Sequence, residues 1–374
     1  MKNVLVVYHY IAHYRIPIFN LLSKSDNPRY TVLSGLKTDI KIKTADSELA
    51  KLPPSKGGIN WKIIKNFWFL KYFLFQFPVL KLSLSRKYDT VIFIGVMYYI
   101  TTWFGAIFAK LSGKKVIFWT HGFIREENNL KGFVRKQFYK LADEILVYGQ
   151  WAKDILVSKG FDPARVNLIY NSLDYDHQLK IRNAFQDGVP LELFKDKELP
   201  VIGFIGRLTP QKKVNLLLEL ARKINAEENR VNLLIIGSGE EEDHLKELAS
   251  DLGLTDNIIF YGACYDEEVL YKLIRSMKAI ISPGEVGLTA IHALTYGVPV
   301  ITHNKFNRQM PEFEAIIEDK TGDFFEYDNV DSLKEVVLKW MYEKKAGDTV
   351  KECYRVVDEY YNPYTQKEIF DAVV

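Results

Sequence analysis

Cysteine is scarce in this sequence. Cys264 and Cys353 are the only two among 374 residues. One pair cannot build a disulfide framework, and no C-x-x-C spacing is present to hold a metal. That usage fits a reducing cytoplasm. The fingerprint G-x-G-x-x-G follows none of the candidate strands, which argues against a plain dinucleotide enzyme. Long apolar runs are also few. Thr90 to Ala109 carries no charge for 20 residues, enough to span a bilayer. Gly95, Thr101, Thr102 and Gly105 interrupt it, so it reads better as strand, turn and buried helix. The opening MKNVLVVYHYIAHYR has no small-residue cleavage site and reads as a first strand.

Net charge is small as well, at +3, but this is a cancellation. Residues 1–187 hold 28 Lys and Arg against 14 Asp and Glu, a net of +14. The remainder holds 22 against 33, a net of −11. Of the 51 aromatic residues, 32 lie in the first half. Two domains with different partners follow, the basic one suited to an anion such as a nucleic acid, a lipid surface or a phosphorylated substrate. A hydrophobic content of 48% with 26% charged residues describes a globular chain. At roughly 150 residues per domain, two domains also suit the length.

Short β-branched runs alternate with helical periods, the mark of parallel α/β layers. NVLVVY, YTVLSG, TVIFIG, KVIFWT, EILVYG and VNLIYN are the strand candidates of the first half. Helix-length segments begin near Ile16, Lys62, Tyr99, Leu130 and Trp151. Asp174 to Leu199 is polar and turn-rich and is expected to be a linker. VIGFIG, VNLLIIG, NIIFYG, KAIISPG and VPVITH follow, with helices from near Gln211, Glu241, Asp266 and Gly287. Val330 to Asp358 reads as one or two further helices. The expected fold is α/β, with two facing Rossmann-like domains whose parallel sheets are flanked by helices. Ligands of such sheets bind at the carboxyl ends of the strands.

Two segments carry the sharpest chemistry. In GFIGRLTPQKK a strand ends at Gly206, and Arg207 and Lys212 flank a tight turn before a helix. Cations at a helix start are disfavoured unless an anion joins them. This is therefore an anion site suited to a diphosphate. In SPGEVGLTAIHALTYGVPVIT, Gly284 and Gly287 allow close approach, and Leu288 and Thr289 open a helix whose N–H groups can hold phosphate. Glu285 and His292 lie two turns apart on one helical face.

These segments, in this order, resemble glycosyltransferases of the GT-B fold, family 4, the retaining group 1 enzymes. GRLTPQK resembles the donor-phosphate motif G-R-x-x-x-x-K, which implies that Arg207 and Lys212 bind the diphosphate of a nucleotide sugar. IIGSGEEEDHL resembles the glycine loop that places Gly237 and Gly239 near the donor. IIFYGACYDEEVLYKLIRSM resembles the stretch beside the nucleobase. FWTHGF resembles the strand end that presents a histidine, here His121, to the transferred sugar. VNLIYNSLD resembles the turn that closes the first domain. The family carries two glutamates eight residues apart. Counting back from Gly297-Val298-Pro299, their slots here hold Gly284 and His292, and Glu285 sits one place late. Glu285 is expected to take the sugar-facing role, with His292 making a weaker ribose or phosphate contact.

The resemblance implies a metal-independent, retaining transfer with no cofactor beyond the nucleotide-sugar co-substrate. It also implies an acceptor domain over 1–185, a donor domain over 186–355 and a tail, 356–374, that packs back on the first domain. His13 and Arg15, with His9, follow the first strand and are the acceptor-side candidates. Asp174-Tyr175-Asp176 matches a metal-binding D-x-D pattern but falls in the linker, and no metal site is expected there. Trp61 to Leu84 interleaves lysines with eight aromatics. It is expected to be a helix, with 61–87 meeting an anionic membrane surface at the cytoplasmic face. The blander alternative packs it on the sheet with lysines snorkelling outward. The expected acceptor is a saccharide, lipid-linked, in surface polysaccharide or glycan synthesis. An epimerase or phosphorylase of the same fold is the nearer rival. A basic aromatic nucleic-acid binder is the distant one, and it leaves the acidic half without a use.

Overall fold

The computed structural model describes residues 1–36, 38, 42–185, 193–227, 230–343 and 346–374. Met1–Asp174 with Tyr361–Val374 form one compact unit, and Tyr175–Tyr360 form another.

The first unit contains strands β1 (Asn3–Tyr10), β2 (Arg29–Gly35), β3 (Trp61–Ile63), β4 (Phe67–Phe69), β5 (Phe73–Phe75), β6 (Thr90–Ile94), β7 (Lys115–Thr120), β8 (Glu144–Val147) and β9 (Val166–Leu168). Its helices are α1 (Ile16–Ser23), α2 (Pro78–Leu84), α3 (Ile100–Leu111), α4 (Leu130–Tyr139) and α5 (Gln150–Ser158). Seven strands make a parallel sheet in the order β3-β2-β1-β6-β7-β8-β9. Strand side chains alternate between two cores. Leu5, Val7, Phe93 and Phe118 pack under α2 to α5. Val4, Val6, Ile92 and Trp119 pack with α1 on the other face. Burial on both faces is why these strands read as continuous apolar runs.

The second unit contains α6 (Tyr175–Ala184), β10 (Val201–Ile205), α7 (Asn215–Asn225), β11 (Asn232–Ile236), α8 (Glu242–Asp251), β12 (Ile258–Gly262), α9 (Glu267–Arg275), β13 (Ala279–Ser282), α10 (Leu288–Thr295), β14 (Val300–His303), β15 (Gly322–Phe325), α11 (Val330–Tyr342) and α12 (Ala346–Glu359). Its parallel sheet runs β12-β11-β10-β13-β14-β15. The last helix, α13 (Pro363–Val373), belongs to the first unit. Phe370 meets the Trp119 ring at 5.1 Å, and Asp371 accepts a 2.7 Å bond from Tyr30 Oη.

The α/β class holds, and both units are Rossmann-like. Strand order reverses between β1 and β6 in one sheet and between β10 and β13 in the other. Such reversals open a crevice at the carboxyl ends of the strands.

Several details differ from the sequence reading. Trp61 to Leu84 is not one helix. It forms β3, the antiparallel hairpin β4–β5 and the short α2. Aromatic residues favour a pleated surface, and Pro78 starts α2 where a missing N–H costs nothing. Thr90–Ala109 divides into β6 and most of α3. Among the described residues no helix is long and apolar enough to cross a membrane. The first part of the expected linker is α6, and 186–192 lie outside the described residues. The break between units falls after Asp174 instead of residue 185, because α6 is bonded to the second unit. Arg182 pairs with Asp358 at 2.9 Å, and Gln178 bonds Glu267 at 2.9 Å. The second break falls after Tyr360 instead of residue 355, at the end of α12.

Candidate active site

The donor-side candidates meet at the reversal point of the second sheet. After β10 the chain passes Gly206 and Arg207 into a 3₁₀ turn, Pro210–Lys212. This loop runs against the one after β11. Gly206 N–H donates to Ile236 O at 3.0 Å, and Leu208 N–H donates to Ser238 O at 3.0 Å. A Cβ on Gly237 would lie 1.8 Å from Gly206 O, and one on Gly239 would lie 2.1 Å from Leu208 O. Only glycine permits that approach. These two loops and the one after β12 line an open pocket of about 220 Å³, with Gly206, Arg207, Gly237, Ser238, Cys264 and Tyr265 on its walls.

On the other side of β10, the loop after β13 packs on the same 3₁₀ turn. Gly284 N–H donates to Lys212 O at 3.1 Å. A Cβ at 284 would sit 2.0 Å from Gln211 O. The first glutamate slot therefore has no room for a side chain, and the carboxylate appears one residue later. Lys212 Nζ donates to Glu285 O at 2.8 Å and lies 3.6 Å from Glu285 Oε1. Burial holds the Lys212 ammonium below its ordinary pKa, against the pull of Glu285. Gly287 caps α10, and Thr289 Oγ1 donates to Ile205 O at 3.1 Å, which locks the helix start to the end of β10. Leu288 and Thr289 open α10, where N–H groups have no intrahelical acceptor.

His292, one turn further on, is held from below. Its Nε2 lies 2.7 Å from Glu267 Oε1, which also accepts from Tyr296 Oη at 2.6 Å and Gln178 Nε2 at 2.9 Å. Burial opposes the Glu267 charge, but the bonds from His292, Tyr296 and Gln178 outweigh it and pull the carboxyl to about 2. The second glutamate slot counted back from Gly297 thus holds an imidazole backed by a fixed carboxylate. Glu267 lay within the segment likened to the nucleobase stretch, yet nothing in its local sequence marked it. Glu312 was also missed. It is buried in the 3₁₀ turn Pro311–Ala315 beside Gly287, and its charge reaches Lys212.

In the first unit, His9 is next to last in β1, His121 follows β7 and Tyr148 follows β8. His13 is exposed on the 3₁₀ turn His13–Arg15. Arg15 is not open for direct acceptor contact, being only 3% exposed. Its Nη2 donates to Tyr148 Oη at 2.8 Å, and its guanidinium lies 4.9 Å from the Trp119 ring centre. The His121 and Tyr148 rings are 4.6 Å apart. Burial, reinforced by Arg15, lowers His121 to about 4 and His9 to about 3. Both imidazoles are therefore neutral near pH 7 and can exchange hydrogen bonds with hydroxyls without carrying charge. Their Nδ1 atoms are buried with no hydrogen-bond partner among the described residues. Tyr148 carried no recognisable signal in the sequence. Asp174-Tyr175-Asp176 leads into α6, and among the described residues no three His, Cys, Asp or Glu side chains cluster as metal ligands would.

Two Rossmann-like units with a cation-bearing strand end in the second are the frame of a GT-B glycosyltransferase. Residues 190–355 match the profile described as glycosyl transferases group 1, and 47–177 match glycosyltransferase family 4. The chain belongs to the family 4, group 1 glycosyltransferases. It is similar to a D-inositol 3-phosphate glycosyltransferase of Mycobacteroides abscessus, 30% identical over 47% of this chain and 40% of that one. The matches span less than half the length of the first curated relatives. Among solved structures it resembles a lipopolysaccharide outer core galactosyltransferase at a TM-score of 0.72, with 16% identity over 100% and 99% of the two chains. It also resembles an Anabaena protein solved with UDP, at 0.70 and 15% identity over 100% and 99%.

Proposed function

We propose that this protein is a retaining glycosyltransferase that moves a sugar from a nucleotide diphospho-sugar to a saccharide acceptor. The observation that carries the reading is Arg207 and Lys212 at the carboxyl end of β10, joined there by the start of α10. Two cations and free helix N–H groups suit a leaving diphosphate without a metal. The neighbour solved with UDP supports a uridine nucleotide as the first donor to test.

The anomeric carbon–oxygen bond to the diphosphate breaks while the acceptor oxygen bonds to that carbon on the same face. The acceptor proton passes to the departing phosphate oxygen. Lys212 and Arg207 stabilise the charge left on the diphosphate. Neutral His121 binds a hydroxyl of the transferred sugar, and Glu285 faces that sugar through its free carboxylate edge. The acceptor is lipid-linked in this reading and is met at an anionic membrane face by the basic first unit.

The test is thermal unfolding with UDP-, GDP- and other nucleotide sugars. A donor at about 100 times its dissociation constant stabilises the folded state by roughly 2.7 kcal/mol. No shift with any nucleotide sugar would refute the donor site. An epimerase would instead form product from donor and water alone.

A further inference from the structure

The hairpin β4–β5 has an arrangement that the donor and acceptor chemistry does not use. Phe67 pairs with Phe75 and Phe69 with Phe73, so all four rings share one face. Phe77 joins them, 5.6 Å from Phe67 and 6.2 Å from Phe75. The opposite face is the anchored one. Leu74 is fully buried, and Trp68 packs edge-on to Tyr99 at 5.9 Å. The outer face ends in solvent at the tip, with Phe69 60%, Leu70 66% and Tyr72 70% exposed.

The turn itself is unusual. Leu70 has φ +49° and Lys71 has φ +60°. Three residues, Leu70 to Tyr72, join the paired Phe69 and Phe73, and Tyr72 N–H donates to Phe69 O at 3.2 Å, so Leu70 and Lys71 are the centres of a β-turn. A β-turn with both centres left-handed favours Asn-Gly or Asp-Gly, whose backbones adopt that region easily. Leucine and lysine adopt it under strain. Their side chains touch no core, so the fold itself gains nothing from keeping them there. A role outside the folded chain accounts for both.

We infer that the hairpin inserts its tip into an anionic lipid bilayer and so holds the acceptor side of the first unit at the membrane. This rests on the proposed lipid-linked acceptor, and it replaces the surface-lying helix expected from sequence with a wedge. Charge identifies the occupant. Residues 61–87 hold six Lys and Arg and no acid. Lysines around exposed rings suit phosphate headgroups above an acyl layer, whereas lysine is depleted where proteins meet. Bases stacking on the phenylalanines would leave the strained Leu70 without a purpose.

The position of the hairpin fits delivery of a substrate from the bilayer. Gln76 Nε2 donates to Tyr8 O at 2.9 Å and to Asn66 Oδ1 at 2.9 Å. Asn66 Nδ2 donates to His9 O at 2.7 Å. The root of the hairpin is thus bonded to the end of β1, the edge that carries His9. A lipid carrier beside the tip would place its headgroup near that edge.

The experiment uses the full chain and sedimentation with phosphatidylcholine vesicles, with and without phosphatidylglycerol, in the absence of any sugar donor. Wild type should sediment with the anionic vesicles and be released in part by salt. Leu70→Asn with Lys71→Gly gives the turn its preferred residues, so the fold should be as stable or more stable. Vesicle partitioning should nevertheless fall about tenfold, since one buried leucine contributes at least that much. UDP-induced stabilisation, which reads the second unit, should not change. Equal vesicle binding by wild type and variant, or no binding by wild type, would overturn the inference. A wild-type dimer that the variant converts to monomer would also overturn it, by showing the face to be a protein interface. Failure of sugar transfer alone would refute the catalytic reading and leave this one standing.

Discussion

Moving the late glutamate back to its family position is a direct test of why it is late. The perturbation is Gly284→Glu combined with Glu285→Gly. A Cβ at 284 would lie 2.0 Å from Gln211 O and 2.8 Å from Lys212 Cα, both backbone atoms of the turn that carries Lys212. Neither can rotate away as a side chain could. Overpacking of this kind costs about 1–3 kcal/mol. Displacing the turn also strains the Gly284 N–H to Lys212 O bond, which adds about 1 kcal/mol. The double variant should therefore lose about 2–4 kcal/mol in the second unit and should not bind UDP normally, because Lys212 moves with its turn. Calorimetric unfolding with and without UDP reads both effects. Gly284→Ala should reproduce the stability loss without any charge change. Glu285→Gln should keep stability and lose turnover. A double variant that unfolds like wild type and transfers sugar normally would refute the packing explanation.

Lys212→Ala should lower sugar transfer by about 10²–10³, the effect of losing one preorganised charge partner, with the fold intact by circular dichroism. Transfer like that of wild type would exclude its role. Glu267→Gln removes the charge that anchors His292 and should cost about 1.5–3 kcal/mol in the second unit and weaken donor binding; unchanged values for both would dissociate this network from the site. Acid should destabilise the first unit through His9 and His121. Their lowered folded values mean that only the unfolded chain gains protons below about pH 6.5, so stability present above that pH is lost as pH falls toward 4. At pH 5 the loss is about 2 kcal/mol for each ring, seen as a falling unfolding midpoint between pH 7.5 and 5. Substituting both rings with glutamine should flatten that slope, and a flat slope in wild type would contradict their burial.

The layered α/β class and most strands are legible from the residues alone. Buried parallel strands must be continuous β-branched runs, and VLVV, VIF and NLLII could be little else. Arg207, Lys212 and the glycine loops are legible too, because each lies in a short motif of neighbouring residues. In Trp61 to Leu84 the lysine and aromatic spacing suits either a helix or a hairpin. The choice was made by Leu74 and Trp68 packing inward and by the bonds of Asn66 and Gln76 to β1. The meaning of the displaced glutamate was not local either. It depends on Gln211 and Lys212 lying against Gly284 from more than 70 residues away. The same holds for Glu267 beneath His292, Tyr148 beside Arg15, and the burial that lowers His9 and His121. Each depends on segments far apart in sequence that only the assembled sheets and their helices bring together. The strands and the Arg207–Lys212 turn are legible in local pattern, whereas tertiary packing decides which side chains are buried and in which charge state.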